Sequence, residues 1–168
     1  PYMKLEISKK TREQRKLGLL SIKDKIIQQA IKSLIEPRME KLFASNSYGY
    51  RPGKGALKAI RRALQERTNK NTPWILRLDI DNYFDNIDHE ILQQRIKAII
   101  PDHEIIRLIM LCVKMGVVNK DGKWEDSYKG LPQGAVLSPV LANLYLHSFD
   151  QFILSRQLPY VRYADDFI

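Results

Sequence analysis

The sequence predicts an α+β fold in which antiparallel strands pack on helices. Three observations predict it. β-like runs open and close the chain at MKLEIS and YVRYA, apolar residues recur at helical spacing in several stretches between them, and turn-forming residues punctuate the junctions. Hydrophobic residues make up 44% of the 168, enough to bury a core in one domain or in two small subdomains that share it. No apolar run approaches the roughly 18–20 residues of a membrane span, and no secretory signal opens the chain.

MKLEIS alternates apolar and polar residues like a strand. GLLSI, after the basic turn KKTREQRK, reads as its hairpin partner. Ile22, Ile26, Ile27, Ala30, Ile31, Leu34 and Ile35 follow at helical spacing; Pro37 is expected to interrupt that helix, with MEKLF resuming it. SNSYGYRPGKG is turn-rich and predicts an ordered loop. ALKAIRRALQER is a basic amphipathic helix closed at Thr68-Asn69. WILRLDI reads as a strand running into an acidic cluster. Asp88 fits the N-cap of a helix over HEILQQRIKAII that Pro101 stops, and another helix runs through EIIRLIMLCVKM. VVNKDGKWEDSY, with Asp121-Gly122 at its turn, predicts a hairpin. Ser138-Pro139 is a helix start, with a capping hydroxyl followed by proline, and the helix continues through VLANLYLHSFDQFILS. The strand YVRYA, the pair Asp165-Asp166 and a returning Phe167-Ile168 complete the pattern.

Charge is divided along the chain. Residues 1–70 hold 18 Lys or Arg against 6 Asp or Glu, a net of +12, while residues 71–168 hold 10 against 13, a net of −3. Such a split suits a basic part that grips a polyanion and an acidic part that gathers carboxylates for cations, although lysine-rich helices also occur as plain solvated faces. Cys112, the single cysteine, sits in the apolar stretch LIMLCVKM and reads as a small core residue, which fits a reducing, cytoplasmic setting. His89, His103 and His147 are scattered without zinc-ligand spacing.

Three segments carry chemistry. In LDIDNYFDNID, Asp79 follows an apolar strand, where a carboxylate can ligate a hard cation from a fixed backbone. Asp81 reads as exposed, and a lone strand-end Asp is more often turn chemistry. In YADDFI, two adjacent carboxylates suit a hairpin tip; they repel each other, and a bound divalent cation relieves that, though a solvated acidic turn is the plainer alternative. In KGLPQGAVLSP, Gly130, Pro132 and Gly134 shape a loop that lets backbone and the Gln133 amide approach a flat partner, or simply connects hairpin to helix.

Together, and in this order, these segments resemble reverse transcriptases. WILRLDIDNYFDNID resembles their first catalytic motif, GLPQGAVLSPVLANLYL the motif that contacts nucleotide and template, and YVRYADDFI the Tyr-x-Asp-Asp motif. Upstream, residues 15–60 resemble the fingers of the bacterial group II intron-like branch, so the likeness spans nearly the whole chain. Gly130-Leu131-Pro132-Gln133-Gly134 departs from the Gly-Thr-Pro-Gln-Gly typical of intron-encoded members, and Leu there is familiar in CRISPR-associated and other stand-alone relatives.

The resemblance implies a right-hand polymerase, with fingers over 1–73, a palm over 74–168 whose antiparallel sheet packs on helices, and the thumb absent. The activity implied is RNA-directed DNA polymerisation. An RNA-dependent RNA polymerase and a non-catalytic, maturase-like RNA-binding module are the alternatives. The implied cofactor is a pair of Mg²⁺ ions, with Mn²⁺ as substitute, held by Asp79, Asp165, Asp166 and the Ile80 carbonyl. Lys9 and Arg15 correspond to the cations that hold the incoming triphosphate, and each also fits a merely solvated residue. Phe84 corresponds to the bulky residue under the sugar, and equally fits core packing beside Tyr83. Gln133 corresponds to a nucleotide or template contact. Arg51, Lys54, Lys58, Arg61 and Arg62 are candidates for the template backbone. The implied partners are an RNA template, a DNA or RNA primer, dNTPs, and further domains of a longer protein: a thumb with a maturase, endonuclease or integrase segment. This part is expected to bind primer–template weakly without polymerising by itself.

Overall fold

A computed structural model of the chain describes residues 2–8, 14–70, 74–119 and 121–168, with the side chains of 4–8, 14–17 and 70 left aside. Two small sheets flank a helical core. The first has the order β2-β1-β4-β5, from β1 (Tyr2–Ser8), β2 (Gln14–Leu19), β4 (Val117–Val118) and β5 (Trp124–Glu125); the second has the order β3-β7-β6, from β3 (Leu78–Asp79), β6 (Arg162–Tyr163) and β7 (Asp166–Phe167). β1 pairs antiparallel with β2 and parallel with β4, so the hairpin over 117–125 extends a sheet begun at the other end of the chain.

Five helices, α1 (Ile22–Glu40), α2 (Ala56–Lys70), α3 (His89–Lys97), α4 (His103–Val113) and α5 (Ser138–Ser155), form most of the regular structure among the described residues. Ile35 and Met39 of α1, Leu92 and Ile96 of α3, Ile109 of α4 and Leu141 and Leu144 of α5 interlock in one core. α5 is apolar on nearly every side and runs through the middle, which fits a helix packed against α1 and α3. None of the described helices is long and apolar enough to cross a membrane.

Several expectations hold. Asp88 caps α3, its carboxylate accepting from the N–H groups of Glu90 and Ile91. Gly122 takes φ +74° in the turn between β4 and β5. Asp165 lies in the turn of the β6–β7 hairpin.

Others are corrected. Pro37 does not interrupt the first helix, since α1 runs through it. Proline there removes one helical hydrogen bond, but buried Ile35 and Met39 anchor the helix on either side, and packing outweighs the loss. β2 begins at Gln14 and ends at Leu19, so the second strand takes in part of the basic turn and only Gly18-Leu19 of GLLSI. Of WILRLDI only Leu78-Asp79 is strand, and Trp74, Ile75, Leu76 and Leu78 are exposed. Ser138 is not a cap: its hydroxyl donates to the Pro132 carbonyl at 2.7 Å. Gln28 of α1 does that work, its buried side-chain oxygen accepting from the N–H of Val136 and of Leu137 at the entry to α5.

Candidate active site

The β6–β7 hairpin is held from behind. Arg162 begins β6 on its inward side and is fully buried. Its Nε and Nη2 donate to the two carboxylate oxygens of Asp150, also fully buried, at 2.9 and 2.5 Å. Its Nη1 donates to Asn143 Oδ1 at 2.8 Å and to the Ala164 carbonyl at 2.9 Å. Asn143 and Asp150 are seven residues apart on α5, two full turns, and so share a face. A buried arginine is tolerated only when its charge and donors are satisfied, and four bonds do that here.

The loop after α1 completes the brace. Arg162 N–H donates to the Asn46 carbonyl and Tyr48 N–H to the Arg162 carbonyl, so residues 46–48 run alongside β6 as a parallel edge. Asn143 Nδ2 donates to the Gly49 carbonyl at 2.8 Å. A Cβ on Gly49 would lie 2.3 Å from the Ala164 backbone nitrogen, so only glycine lets the loop close on the turn. Ala164 adopts φ +58°, a region that L residues with a side chain rarely occupy. None of Arg162, Asp150, Asn143 and Gly49 stands among the site residues expected from sequence. A signal existed: an arginine in the apolar run YVRYA needs a buried carboxylate, and Asp150 lies on the apolar helix just upstream.

Asp79 reaches the site from β3, where it stands directly opposite Asp166 of β7. Directly opposed residues of antiparallel strands project to one face, and like charges there repel. Arg77 answers part of this, its Nη2 lying 3.0 Å from Asp166 Oδ1 in an exposed pair. Asp165 occupies the neighbouring turn position and is half-buried, as is Asp166. Ile80 follows β3 and packs against the core. Three carboxylates on adjoining positions of one sheet are hard oxygen donors, the kind a divalent magnesium-type ion takes, and such an ion would relieve the opposed pair. Among the described residues, no group of three His, Cys, Asp or Glu side chains is already disposed to hold one.

After β3 the chain turns sharply, with Asn82 at φ +47°, into a short 3-10 helix over Tyr83–Asn86. Tyr83 is buried and its hydroxyl donates to the Ala142 carbonyl of α5 at 2.6 Å, and burial pushes its phenol well up from its ordinary value. Phe84 is half-buried, packed edge-on against Tyr83 and against Tyr50, with ring centroids 5.6 and 6.3 Å apart. The Gly130–Gly134 loop is stitched to this turn: Gly130 N–H donates to the Ile87 carbonyl and Leu131 N–H to the Phe84 carbonyl, both at 2.7 Å. Gly130, at φ +84°, has no room for a Cβ against Asp85. The Gln133 carbonyl accepts from Gly18 N–H, and Gln133 lines a cleft of about 220 Å³ with Tyr2, Asp85 and Lys129.

The basic candidates separate. Arg51 turns inward: its guanidinium pairs with Glu40 at 2.9 Å, donates to the carbonyls of Ala44 and Ser47, and lies over the Phe43 ring. These donors fasten α1 to the loop, whereas the sequence alone suggests an outward place on the template backbone. Lys54 donates to the Ser45 carbonyl and lies 4.5 Å from the Tyr48 ring centroid, with its amine pushed down by desolvation and then by nearby Arg51. It lines an open cleft of about 380 Å³ with Lys32, Tyr48, Tyr50 and Tyr163. On α2, Lys58 donates to the Gly53 carbonyl, Arg62 pairs with Glu66 and Arg61 is exposed. Lys9 lies outside the described residues. Arg15 pairs with Ile7 in the β1–β2 ladder, and its side chain lies outside the description.

Comparison with known proteins agrees with this geometry. The profile of the family described as Reverse transcriptase (RNA-dependent DNA polymerase) matches residues 7–168. The Group II intron-encoded protein LtrA of Lactococcus lactis subsp. cremoris is 36% identical over 166 residues, which covers 96% of this chain and 27% of that protein. Protein YkfC of Escherichia coli (strain K12) is 32% identical over 161 residues, covering 94% of this chain and 42% of that protein. The chain therefore spans between about a quarter and two-fifths of the length of these relatives. Among solved structures, telomerase of Candida tropicalis in complex with a TWJ fragment of telomeric RNA aligns with 99% of this chain and 35% of its own, at a TM-score of 0.73 and 14% identity, a likeness of fold. From the opposed carboxylates, the braced hairpin and these matches together, the chain belongs to the reverse transcriptase (RNA-dependent DNA polymerase) family.

Proposed function

We propose that this chain is the fingers and palm, 1–73 and 74–168, of an RNA-directed DNA polymerase of the group II intron-like branch. The single observation that carries the reading is Asp79 opposite Asp166 on paired strands, with Asp165 beside them in a turn braced by buried groups. Its proposed partners are an RNA template, a DNA or RNA primer and dNTPs. The relative encoded by a group II intron supports the branch, and the telomerase bound to telomeric RNA supports an RNA partner.

Asp79, Asp165 and Asp166, with the Ile80 carbonyl, would hold two Mg²⁺ ions. Such ions supply stabilisation of the charge that grows on the attacking primer 3′-oxygen and on the leaving oxygen at the α-phosphate. The chain's own residues do the rest. Phe84 sits beneath the sugar of the incoming nucleotide and excludes a 2′-hydroxyl by contact. Gln133 positions the nucleotide or template, and Arg15, with Lys9, holds the triphosphate. Arg61, Arg62, Lys58 and Lys54 attract the template backbone, sequence-independently.

The test is primer extension by the full-length protein on an RNA template with Mg²⁺. The reading expects dNTP incorporation that rNTPs do not match. Incorporation of rNTPs alone would identify an RNA-dependent RNA polymerase, and tight primer–template binding without extension would identify a non-catalytic module.

A further inference from the structure

We propose that Arg162 is a positioning residue for the Asp165-Asp166 turn, acting through the Ala164 carbonyl. The proposal rests on the polymerase reading above. Asp150 neutralises the charge of Arg162 and takes two of its donors. Arg162 does more: one arm of its fork ends on the carbonyl that immediately precedes Asp165, at 2.9 Å. The peptide it grips is the one whose residue, Ala164, sits at φ +58°, so the turn is held in a conformation its sequence does not favour. The same arm binds Asn143 Oδ1, and Asn143 in turn binds the Gly49 carbonyl, whose residue packs against Ala164.

A guanidinium is planar and rigid, so the positions of Asp150, Asn143 and Ala164 are fixed relative to one another. The fixed partner is α5, the most deeply buried helix, and the movable one is the turn. Ion ligation by carboxylates tolerates only a few tenths of an ångström of misplacement. Arg162 thus transmits the rigidity of α5 to Asp165 and Asp166 without touching substrate itself.

The experiment uses the full-length protein with a chain-terminated primer, an RNA template and an incoming dNTP, so that no chemistry occurs. Mn²⁺ binding is read from the loss of the free-ion resonance. The double substitution Asp150→Leu with Arg162→Met replaces the buried pair by apolar side chains, a change that commonly preserves stability. It is expected to melt within a few degrees of wild type, yet to need at least about fivefold more Mn²⁺ for half-saturation, with primer–template affinity unchanged. Arg162→Lys keeps a charge for Asp150 but lacks the planar fork that spans Asp150, Asn143 and Ala164 from three nitrogens, and is expected to shift the Mn²⁺ midpoint the same way. If the double variant melts early, the Lys variant decides. A folded variant with the wild-type Mn²⁺ midpoint and wild-type extension would overturn the positioning role while leaving the polymerase reading intact. A wild-type protein that neither binds Mn²⁺ nor extends a primer would overturn both.

Discussion

Two halves of one acidic site are held in opposite ways. Asp165 and Asp166 ride on a hairpin whose first strand residue, Arg162, is fully buried and bonded to α5 and, through its backbone, to the loop at 46–48. Asp79 rides on a two-residue strand in which Leu78 is exposed, as are Trp74, Ile75 and Leu76 before it, and beside which the ion pair of Arg77 with Asp166 lies in solvent. The accuracy of such a site therefore has a definite origin. It comes from a central apolar helix with two well-placed polar residues, whereas the opposite strand is located by pairing to the hairpin and by Ile80 and Tyr83, which follow it into the core.

Removing one partner on each side should have unequal effects. Asp150→Asn leaves the Arg162 charge buried without its counter-ion and is expected to destabilise the full-length protein by about 3–5 kcal/mol in chemical denaturation. Arg77→Ala, on the exposed side, is expected to cost less than about 1 kcal/mol by the same measurement. Equal losses would mean that the two halves share one support.

Phe84 sharpens the picture between the halves, since it packs on Tyr83 beside β3 and on Tyr50 of the loop that braces the hairpin. Phe84→Val should cost about 1–3 kcal/mol of stability whatever its role. As a sugar gate it should also raise rNTP incorporation relative to dNTP by about tenfold or more in the ratio of kcat/KM, from which a general loss of stability cancels. An unchanged ratio would place Phe84 in the core alone.

The smallest effect concerns the α3 cap next to the β3 turn. Hydrogen bonds from the N–H of Ile91 and then of Glu90 hold the Asp88 carboxyl below its usual range. A depressed carboxyl stabilises the fold above its unfolded pKa of about 4, and that contribution is lost as pH falls through the lower folded value. Asp88→Ala should therefore lower Tm slightly at neutral pH, and the gap to wild type should close in acid. A gap that persists unchanged at low pH would contradict a charged cap.

Much of this arrangement was legible before the fold. Asp88, Asp121-Gly122 and the Tyr163–Asp166 tip announce themselves because capping and tight turns are decided by residues next to one another. Asp79 and the Asp165-Asp166 pair were legible as candidates through their order along the chain. What stayed hidden depends on distant partners. Whether Pro37 ends α1 is decided by the burial of Ile35 and Met39, and whether Ser138 caps α5 by the arrival of Gln28 from 110 residues away along the chain. Arg51 looked like a surface cation because nothing local reveals that Glu40 and two carbonyls take its donors. Arg162 and Asp150 were readable only as a pair, an arginine in an apolar run with a carboxylate on the apolar helix just upstream.

Single-turnover extension with full-length Asp79→Asn and Asp165→Asn tests whether Asp79 and the hairpin carboxylates together perform two-metal nucleotidyl transfer. Each should lose about a thousandfold or more in rate, several kcal/mol of transition-state stabilisation, while binding primer–template as wild type does. Extension by either variant within tenfold of wild type would contradict the account.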